Sequence, residues 1–563
     1  MDHLCTLFVL IEIYVFGCYD KKVIKRGKNN PFLLDMISEI VTNGIKYYKK
    51  AIEKRDLPED IPRIHTDEVA SQVAAFYEKA RNVIDYKEEH LIRRGFVDRV
   101  LHRRLLLKQD GIGIGEVLIK EIIRAGYLPN DKIPETTIDE IQKIIEKHIA
   151  LSEFIPSQNK KKYKDRLDWL FSITASSIEE KLFPSYREDT LVNIMFRTLK
   201  TRLVVRGGSI PEDDLTTQLF AAIYRTLLKA DEEQLQYQLL KFLYPDWESI
   251  SIEECPRVGA YIPAIRRQIR KVLTHPFKKS FTKLCARYAI VFNILGDVID
   301  RSKDYEAFEK TISDQTLFEK ETRGAYDIRF VATKRKLKRI GFLSVISFFL
   351  SKILIVLLIE VPIENHLTGT FSTLNTVLNI LVPPILMFLI VLSIKMPRLI
   401  NFNLVFDQIH AVVFPVEDGY KYILSIPKKK KIITEIVSNL FYLFTVIAVF
   451  YLFYELLTPL RFNIANVVVF IFFVSLVAAA GVRIHNRANE MNLEKKKTNV
   501  LTFLFDLLSM PFVTVGRWVI DGLARFNPIV IFINLLIELP FQMFVEFLEN
   551  FNGFVRQKKE DIN

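Results

Sequence analysis

Six polar side chains interrupt long apolar stretches of this sequence, and their chemistry there would be unusual. They are Lys352, Glu360, Asn375, Asn379, Glu455 and Glu538. A polar group inside lipid is costly unless it is paired or hydrated, so such residues often mark a function. One interpretation makes them the lining of a permeation or substrate path. The favoured one has an acidic partner, with Glu538 the candidate, neutralising Lys352, while the asparagines hydrogen-bond between helices.

Other motifs give weaker chemical signals. Asp110–Gly115, Asp-Gly-Ile-Gly-Ile-Gly, superficially resembles a phosphate-binding loop. It follows a predicted helix rather than a strand, and no Gly-Lys-Ser/Thr comes after it, so we expect a flexible connector. The nine histidines show no His-Glu-x-x-His spacing. We therefore predict no metal, cofactor or catalytic residue, and enzymatic activity is not indicated.

Four apolar runs form the element that must position these polar residues. They are Phe342–Ile363, Leu374–Ile394, Ile432–Leu457 and Phe462–Val482. Each has about 20 residues, which is the length of helix needed to cross a hydrocarbon layer of ~30 Å. The sequence predicts a four-helix transmembrane region within residues 334–497. Pro383-Pro384 is expected to kink or break the second span.

Basic residues predict the orientation of these spans. They crowd residues 333–339, the connection between the second and third runs, and residues 483–497, whereas Arg461 is the sole basic residue in the other two connections. This asymmetry places the basic flanks in the cytoplasm, with both ends of the bundle inside a plasma membrane. Lys428, Lys429, Lys430 and Lys431 are candidates for binding anionic headgroups, or serve only as a topological signal.

The first half of the chain predicts helices. From residue 31 to 333 apolar residues recur at three- and four-residue spacing, as in Thr66–Leu107, Arg187–Val204 and Tyr305–Ser313. The fold class is therefore all-α, with a large helical cytoplasmic domain ahead of the bundle. Residues 1–30 form a short apolar segment with a basic flank, and Leu4–Cys18 is an extra anchor, a helix packed against the protein or an upstream extension of little consequence.

Two further segments are too apolar to be free loops. Phe402–Ile426, between the second and third spans, is predicted to dock the cytoplasmic helices onto the membrane. Residues 498–563 are predicted to form interfacial and re-entrant helices with a basic tail. Val513–Phe526 is amphipathic, with Arg517 and Trp518 at the headgroup boundary. Ile529–Phe551 is interpreted as re-entrant, with a fifth crossing as the alternative.

Charge and cysteine content limit the class of protein. Lys and Arg outnumber Asp and Glu by 78 to 66 across 563 residues, and the excess is spread over span flanks and helix faces. It suits anionic lipid better than nucleic acid, which we do not predict as a partner. The four cysteines form no Cys-x-x-Cys pair, so reduced thiols are expected.

Five strings carry a resemblance to a known group. They are Ala125–Glu135, Glu360–Ile363, Leu378–Pro384, Gly516–Trp518 and Leu539–Leu548. Together they resemble an uncharacterised family of multi-pass membrane proteins from candidate-phylum bacteria with reduced genomes. The resemblance runs from about residue 90 to the end. It implies a prokaryotic plasma membrane and carries over no functional residue, because the family has no assigned activity.

These patterns lead to one function hypothesis with two alternatives. The leading hypothesis is an integral membrane protein whose helical cytoplasmic domain recruits a protein partner. The first alternative is a transporter, channel or lipid-handling protein that uses the polar residues of the spans. The second is a membrane enzyme acting on lipid headgroups, which would need a cleft of that size.

Overall fold

The computed structural model describes most of the chain between residues 38 and 526. The described residues are 38–53, 61–66, 75, 78, 88–107, 111–157, 159–360, 362, 373–394, 399–414, 420–427, 432–460, 464–494 and 500–526. The predictions for Leu4–Cys18, Lys428–Lys431 and Ile529–Phe551, with Glu538, lie outside them.

The chain divides into two compact units. The first, here called the helical unit, contains Ser38–Glu306 together with Glu417–Ile426. The second, the apolar unit, contains Ala307–Val416 and Pro427–Asn527. The connection between the second and third predicted spans thus contributes a short piece to the helical unit. The sequence boundary between the units falls inside α11, Tyr305–Ser313, whose bounds match the prediction.

Ten α-helices and two short strands make up the described part of the helical unit. They are α1 (Glu39–Glu53), α2 (Glu89–Leu107), α3 (Ile114–Arg124), α4 (Thr136–Glu153), α5 (Lys160–Leu182), α6 (Tyr186–Arg202), β1 (Leu203–Arg206), α7 (Glu212–Leu227), α8 (Glu232–Leu243), α9 (Cys255–Leu273), α10 (Lys278–Arg301) and β2 (Tyr422–Ser425). Pro245–Trp247 and Ile252–Glu254 are 3₁₀ turns.

Close helix packing builds the core of this unit. Leu118, Ile122 and Ile141 belong to one fully buried cluster that joins α2, α3, α4 and α5. Elsewhere a Cβ atom on Gly259 of α9 would lie 2.7 Å from the Leu151 carbonyl of α4. A side chain there would force these helices apart, so glycine permits their close approach.

The two strands pair in parallel, from Leu203 opposite Tyr422 to Arg206 opposite Ser425. The Ile426 amide continues the pairing by donating to the Arg206 carbonyl at 2.9 Å. Side chains of β2 alternate between buried and exposed, as a strand lying on a core requires. This pairing joins segments more than 200 residues apart in the chain.

The structure changes the bounds of two predicted helices. The helix expected over Arg187–Val204 ends at Arg202, because the next four residues pair with β2. Of the helix expected over Thr66–Leu107, Glu89–Leu107 is helical, as are the described residues Ala75 and Glu78, but Thr66 is not. The Thr66 amide is bonded to the Asn130 side chain at 3.0 Å, in an extended stretch that also pairs Arg63 with Pro134. The protein is nevertheless almost entirely helical where the structure describes it.

Six α-helices belong to the apolar unit. They are α12 (Gln315–Ile355), α13 (Thr373–Ser393), α14 (Leu399–Val413), α15 (Ile432–Leu457), α16 (Ile464–Asn489) and α17 (Val500–Phe526). A π-helical turn, Val356–Glu360, continues α12, and a 3₁₀ turn, Thr458–Leu460, follows α15.

Three of these helices are long and apolar enough to cross a membrane. They correspond to Gln315–Leu358, Ile432–Leu457 and Asn466–Asn489, and Val377–Ser393 within α13 is a shorter apolar helix. Buried residues make up 17%, 11% and 50% of their most apolar stretches, respectively. Apolar side chains that a soluble protein would bury are therefore exposed over most of α15.

Glycines mark close contacts between helices of the apolar unit. A Cβ atom on Gly341 of α12 would lie 2.5 Å from Val391 of α13, and one on Gly481 of α16 would lie 2.7 Å from Ile390 of α13. Gly516 of α17 lies against the backbone of α16. Small residues at such crossings are typical of helices that associate in lipid, where backbones approach closely.

Two expectations about helix bounds change in this unit. Pro383 and Pro384 do not break α13, which runs continuously through both, and both are buried. The helix expected over Val513–Phe526 begins at Val500, well before the amphipathic stretch. The connection between α13 and α15 contains a further helix, α14, whose Phe406 ring lies 5.7 Å from Phe318 of α12.

Candidate functional site

The clearest unusual group is Lys352, near the end of α12. Its side chain is completely buried, with 0% exposure. The Nζ atom lies 4.7 Å from the ring centroid of Phe473 on α16. An ammonium over an aromatic face in a desolvated position contributes about 2 kcal/mol of attraction. The structure thus provides one favourable contact for a charge that is costly at this position.

Asn379 on α13, another of the six polar residues predicted from the sequence, is also buried, at 1% exposure. Gly341 of α12 lies against Val391 of α13. Consecutive helices joined by a short connection run antiparallel. Lys352 and Asn379 then both lie roughly 17 Å from that contact, at a rise of 1.5 Å per residue. The register places the two residues at the same height of the helix pair.

The other predicted residues are not brought to this place by the described structure. Glu455 is exposed on α15 and is hydrogen-bonded to Tyr451 on the same helix. Glu360 ends the π-helical turn, and Asn375 lies in the first turn of α13. The side chains of Glu360 and Asn375 lie outside the described structure. On α17, Arg517 is half-buried and Trp518 is 77% exposed.

A buried lysine among apolar helices has two chemical uses. It can hold neighbouring helices in register through its contacts, or it can attract an anion that enters the bundle. The contact of Lys352 with Phe473 joins α12 to α16 and is of the kind that holds helices in register. Ser475, also fully buried on α16, bonds its own helix by donating to the Ile471 carbonyl at 2.8 Å. The observed contacts therefore resemble structural ones.

A second set of polar residues, here called the acidic cluster, lies in the helical unit, and the sequence did not indicate it. Eleven residues from α2, α5, α7, α8 and the region where α6 begins line a cavity with room for a water-sized molecule. Its charged and phenolic members are Arg94, Glu179, Glu180, Asp189, Tyr224 and Tyr237. Two polar atoms at its edge, Arg94 Nε and Gln234 Oε1, have no hydrogen-bond partner among the described residues.

Ion pairs and hydrogen bonds tie the cluster together. Arg94 pairs with Asp231 at 2.6 Å and with Glu233 at 2.5 Å. Glu180 accepts from the Tyr237 hydroxyl at 2.8 Å and from Lys241 at 2.7 Å. Burying charges in this way is costly unless every member is paired.

Burial changes the acid strength of two carboxyl groups in the cluster. It raises the pKa of Asp189 to about 7, and the neighbouring Glu180 carboxylate adds to the rise. Burial also raises the pKa of Glu179 to about 7, although Arg93 opposes the shift. Groups with such pKa values are suited to proton transfer. The cavity has room for a water-sized molecule, so these two carboxyl groups could exchange protons with a water there.

The glycine-rich segment before α3 is hydrogen-bonded to α4. Gln142 of α4 accepts from the Gly115 amide and donates to the Gly111 carbonyl, each at 3.0 Å. Gly111 and Gly113 adopt positive φ angles, which glycine tolerates at low cost. The glutamine thus satisfies the amide that a phosphate-binding loop would offer to its ligand.

Metal-binding geometry is absent wherever the chain is described. No three His, Cys, Asp or Glu side chains within those ranges converge on a point that would hold an ion. Cys255 and Cys285 are free and buried, and burial raises the pKa of both thiols. These two cysteines therefore act as small apolar residues of the core.

Sequence reasoning found Lys352 because a charge in an apolar run is visible without a fold. It missed the acidic cluster because the cluster's residues lie in five separate segments between Arg94 and Gln238, and only the folded structure brings these segments together. The lone available signal was the polar content of α5 and α8.

No known protein family, curated protein or solved structure matches this chain. The resemblance of the five sequence strings to a bacterial membrane family therefore stays a prediction.

Proposed function

We propose that this chain is a multi-pass integral membrane protein of a bacterial plasma membrane whose cytoplasmic helical unit binds a protein partner. The apolar exposure of α15 carries the proposal. Phe444 is 68% exposed, Leu440 61% and Ile447 60%, and just 11% of the helix's most apolar stretch is buried. An apolar surface of this extent is a liability in water and is the normal surface of a helix in lipid.

Four membrane crossings are part of this proposal. Three come from the long apolar helices, and α13, whose 21 residues suffice for a hydrocarbon layer of ~30 Å, provides the fourth. The basic residues at 333–339 and 483–497 then place both ends of the bundle in the cytoplasm. Two of these crossings, α12 and α13, lie between residues 38–306 and β2, and they keep both parts of the helical unit on the same side of the membrane.

Cysteine labelling in intact cells tests this arrangement. His366→Cys lies in the connection between the first two crossings, and Ser425→Cys lies on an exposed position of β2. A membrane-impermeant maleimide should label position 366 from outside, and position 425 only after the cells are permeabilised. The parent chain serves as the control. Labelling of position 425 in intact cells would overturn the proposed topology.

The size and composition of the helical unit support a role in binding another protein. It contains ten described helices, and no group of three His, Cys, Asp or Glu side chains among its described residues could hold a metal ion. A helical domain without a chemical site of its own usually offers its surface to other macromolecules. Lipid of the inner leaflet is the other proposed partner.

The buried Lys352 favours a second candidate function, transport of an ion or lipid through the bundle. Purified protein in liposomes distinguishes the two functions by ion flux and lipid scrambling. The binding proposal expects rates equal to those of empty liposomes. Lys352→Met removes the buried charge, and Lys338→Met removes an exposed charge from the same helix. Activity that is lost in Lys352→Met and kept in Lys338→Met would overturn the binding proposal.

A further inference from the structure

One long stretch of the helical unit contains many basic residues and no acidic ones. Between Cys255 and Gly296 the chain has nine lysines and arginines and no aspartate or glutamate. The stretch covers all of α9 and most of α10. These nine positive charges equal most of the net charge of +12 of the whole chain.

The structure sorts the charges of α9 onto one half of the helix. The buried half contains Ile262, Ile265 and Ile269. At 100° per residue the opposite half carries four exposed cations, here called the basic face. They are Arg257, Arg267, Arg270 and Lys271. The apolar half is already used by the core, so the basic face is the part of α9 available to a partner.

No described acidic side chain forms a salt bridge with these four cations, although Arg257 feels the charge of Glu254. The field of the basic face also reaches its neighbours. The pKa of Arg266 is lowered first by burial and then by the positive charge of Arg270. Asp165 and Asp168 oppose this shift of the Arg266 pKa but do not reverse it. An exposed positive surface of this kind attracts anions.

An exposed aromatic residue accompanies the charges. Tyr261 lies one turn after Arg257, at the edge of the basic face, and is 61% exposed. Tyrosine next to lysine and arginine is typical of surfaces that meet the headgroup region of a bilayer, where the ring has both apolar and polar surroundings.

We propose that the basic face of α9, with Tyr261, binds the anionic headgroups of a lipid bilayer. This inference rests on the proposed membrane function and names a lipid-binding surface within it. The contact is electrostatic and superficial, because the apolar half of α9 is buried in the helical unit and does not enter the lipid. Lipid is favoured over nucleic acid because the same chain carries helices suited to a membrane.

Vesicle flotation with the full chain tests the proposal. The protein is first embedded in nanodiscs of neutral phosphatidylcholine, and vesicles are then added that are either neutral or contain about 30% phosphatidylglycerol. The discs should float with the anionic vesicles and not with the neutral ones. Added salt should weaken the binding, because it screens exposed charges.

The decisive variant replaces Arg257, Arg267, Arg270 and Lys271 with glutamine. Each basic residue near an anionic surface contributes about 1 kcal/mol, so partitioning should fall about a hundredfold or more. The matched control removes four exposed lysines at unrelated positions, Lys50, Lys132, Lys143 and Lys164. Its net charge is identical, and it should bind almost as well as the parent. Tryptophan fluorescence melting confirms that both variants fold.

Two results would overturn the proposal. One is equal loss of vesicle binding in both variants, which would show that net charge alone matters. The other is binding of a labelled single-stranded RNA, lost in the basic-face variant, with no binding to vesicles. Neither result affects the proposed function, since the protein is shown to be embedded before vesicles are added. Failure to enter the discs at all would instead contradict that function.

Discussion

The backbone of Gly516 on α17 lies directly against the carbonyl group of Ser475 on α16, with no room for a Cβ atom between them. Ala479, one turn further along α16, lies 2.8 Å from the same position. The two helices therefore meet through their backbones, which is a contact that only glycine permits at this point.

Replacing Gly516 with alanine should separate α17 from α16. We expect a loss of about 1–3 kcal/mol, because a methyl group added to a filled interface forces the backbone to move. Gly522→Ala is the matched control on the same helix, since nothing lies within 4 Å of its Cβ position. That variant should gain up to about 1 kcal/mol from helix propensity. Thermal unfolding in nanodiscs measures both, and equal melting temperatures would contradict the contact.

A glycine also controls the pairing of β1 with β2. Gly207 has a φ of +99°, and its Cβ atom would lie 2.6 Å from the Ile426 carbonyl oxygen. Gly207→Ala should destabilise the end of the pair by about 1–2 kcal/mol or more from the backbone conformation alone. Gly208→Ala, whose Cβ would lie 3.9 Å from Ile426, is the control.

Limited proteolysis between residues 415 and 430 reads out this pairing. The Gly207→Ala chain should be cut faster than the parent, and the Gly208→Ala chain at the rate of the parent. Equal rates for all three chains would show that the strand pair does not hold this connection in place.

Asn401 joins three parts of the apolar unit. Its Nδ2 donates to the Tyr326 hydroxyl at 3.0 Å and to the Met491 carbonyl at 2.7 Å, and its Oδ1 accepts from the Leu493 amide at 2.7 Å. Asn401→Ala leaves buried partners unsatisfied and should cost about 2–3 kcal/mol. The exposed Asn403 lies on the same helix, and Asn403→Ala should change the melting temperature little. Similar losses in both variants would mean that the hydrogen bonds of Asn401 are not stabilising.

The acidic cluster should make the helical unit more stable at pH 6 than at pH 8. The pKa of Asp189 is raised to about 7 in the folded protein and is about 4 in an unfolded chain. The folded state therefore binds a proton between these values, and its stability increases as pH falls through 7. A group with this shift changes stability by about 1 kcal/mol between pH 8 and 6.

Tryptophan fluorescence measures this effect, because Trp169 and Trp247 are both buried in the helical unit. The pKa of Glu179, also about 7, adds to the dependence. Asp189→Asn should raise stability at pH 8 and flatten the pH profile, whereas the exposed Asp139→Asn should leave the profile unchanged. A profile that is unaffected by Asp189→Asn would contradict the assignment.

Local patterns predicted some elements closely. The bounds of α15 and α11 match the predicted Ile432–Leu457 and Tyr305–Ser313. Both predictions rest on a local pattern, an apolar run or a helical period, whose first and last residues can be read directly from the sequence. Polar groups within such runs are equally visible, which is why Lys352 was found. The number of membrane crossings does not follow from these local patterns alone, since it also depends on which helices are in contact with lipid.

Contacts between distant segments were not predictable in this way. Nothing in Leu203–Arg206 indicates that it pairs with Tyr422–Ser425 rather than extending α6. The basic face of α9 was also missed, since its charges were counted as part of a general excess. Burial of the other half of the helix is what concentrates them on one surface.

The most direct test of the central claim, that α15 and its neighbours lie in lipid, is a spin label at position 444. Phe444 is 68% exposed and lies in the middle of α15. In neutral bilayers the Phe444→Cys label should collide often with oxygen, which dissolves in lipid, and rarely with a water-soluble nickel complex. A label at Ser425 gives the water-exposed reference. Frequent collision of the label at position 444 with the nickel complex would contradict the membrane assignment.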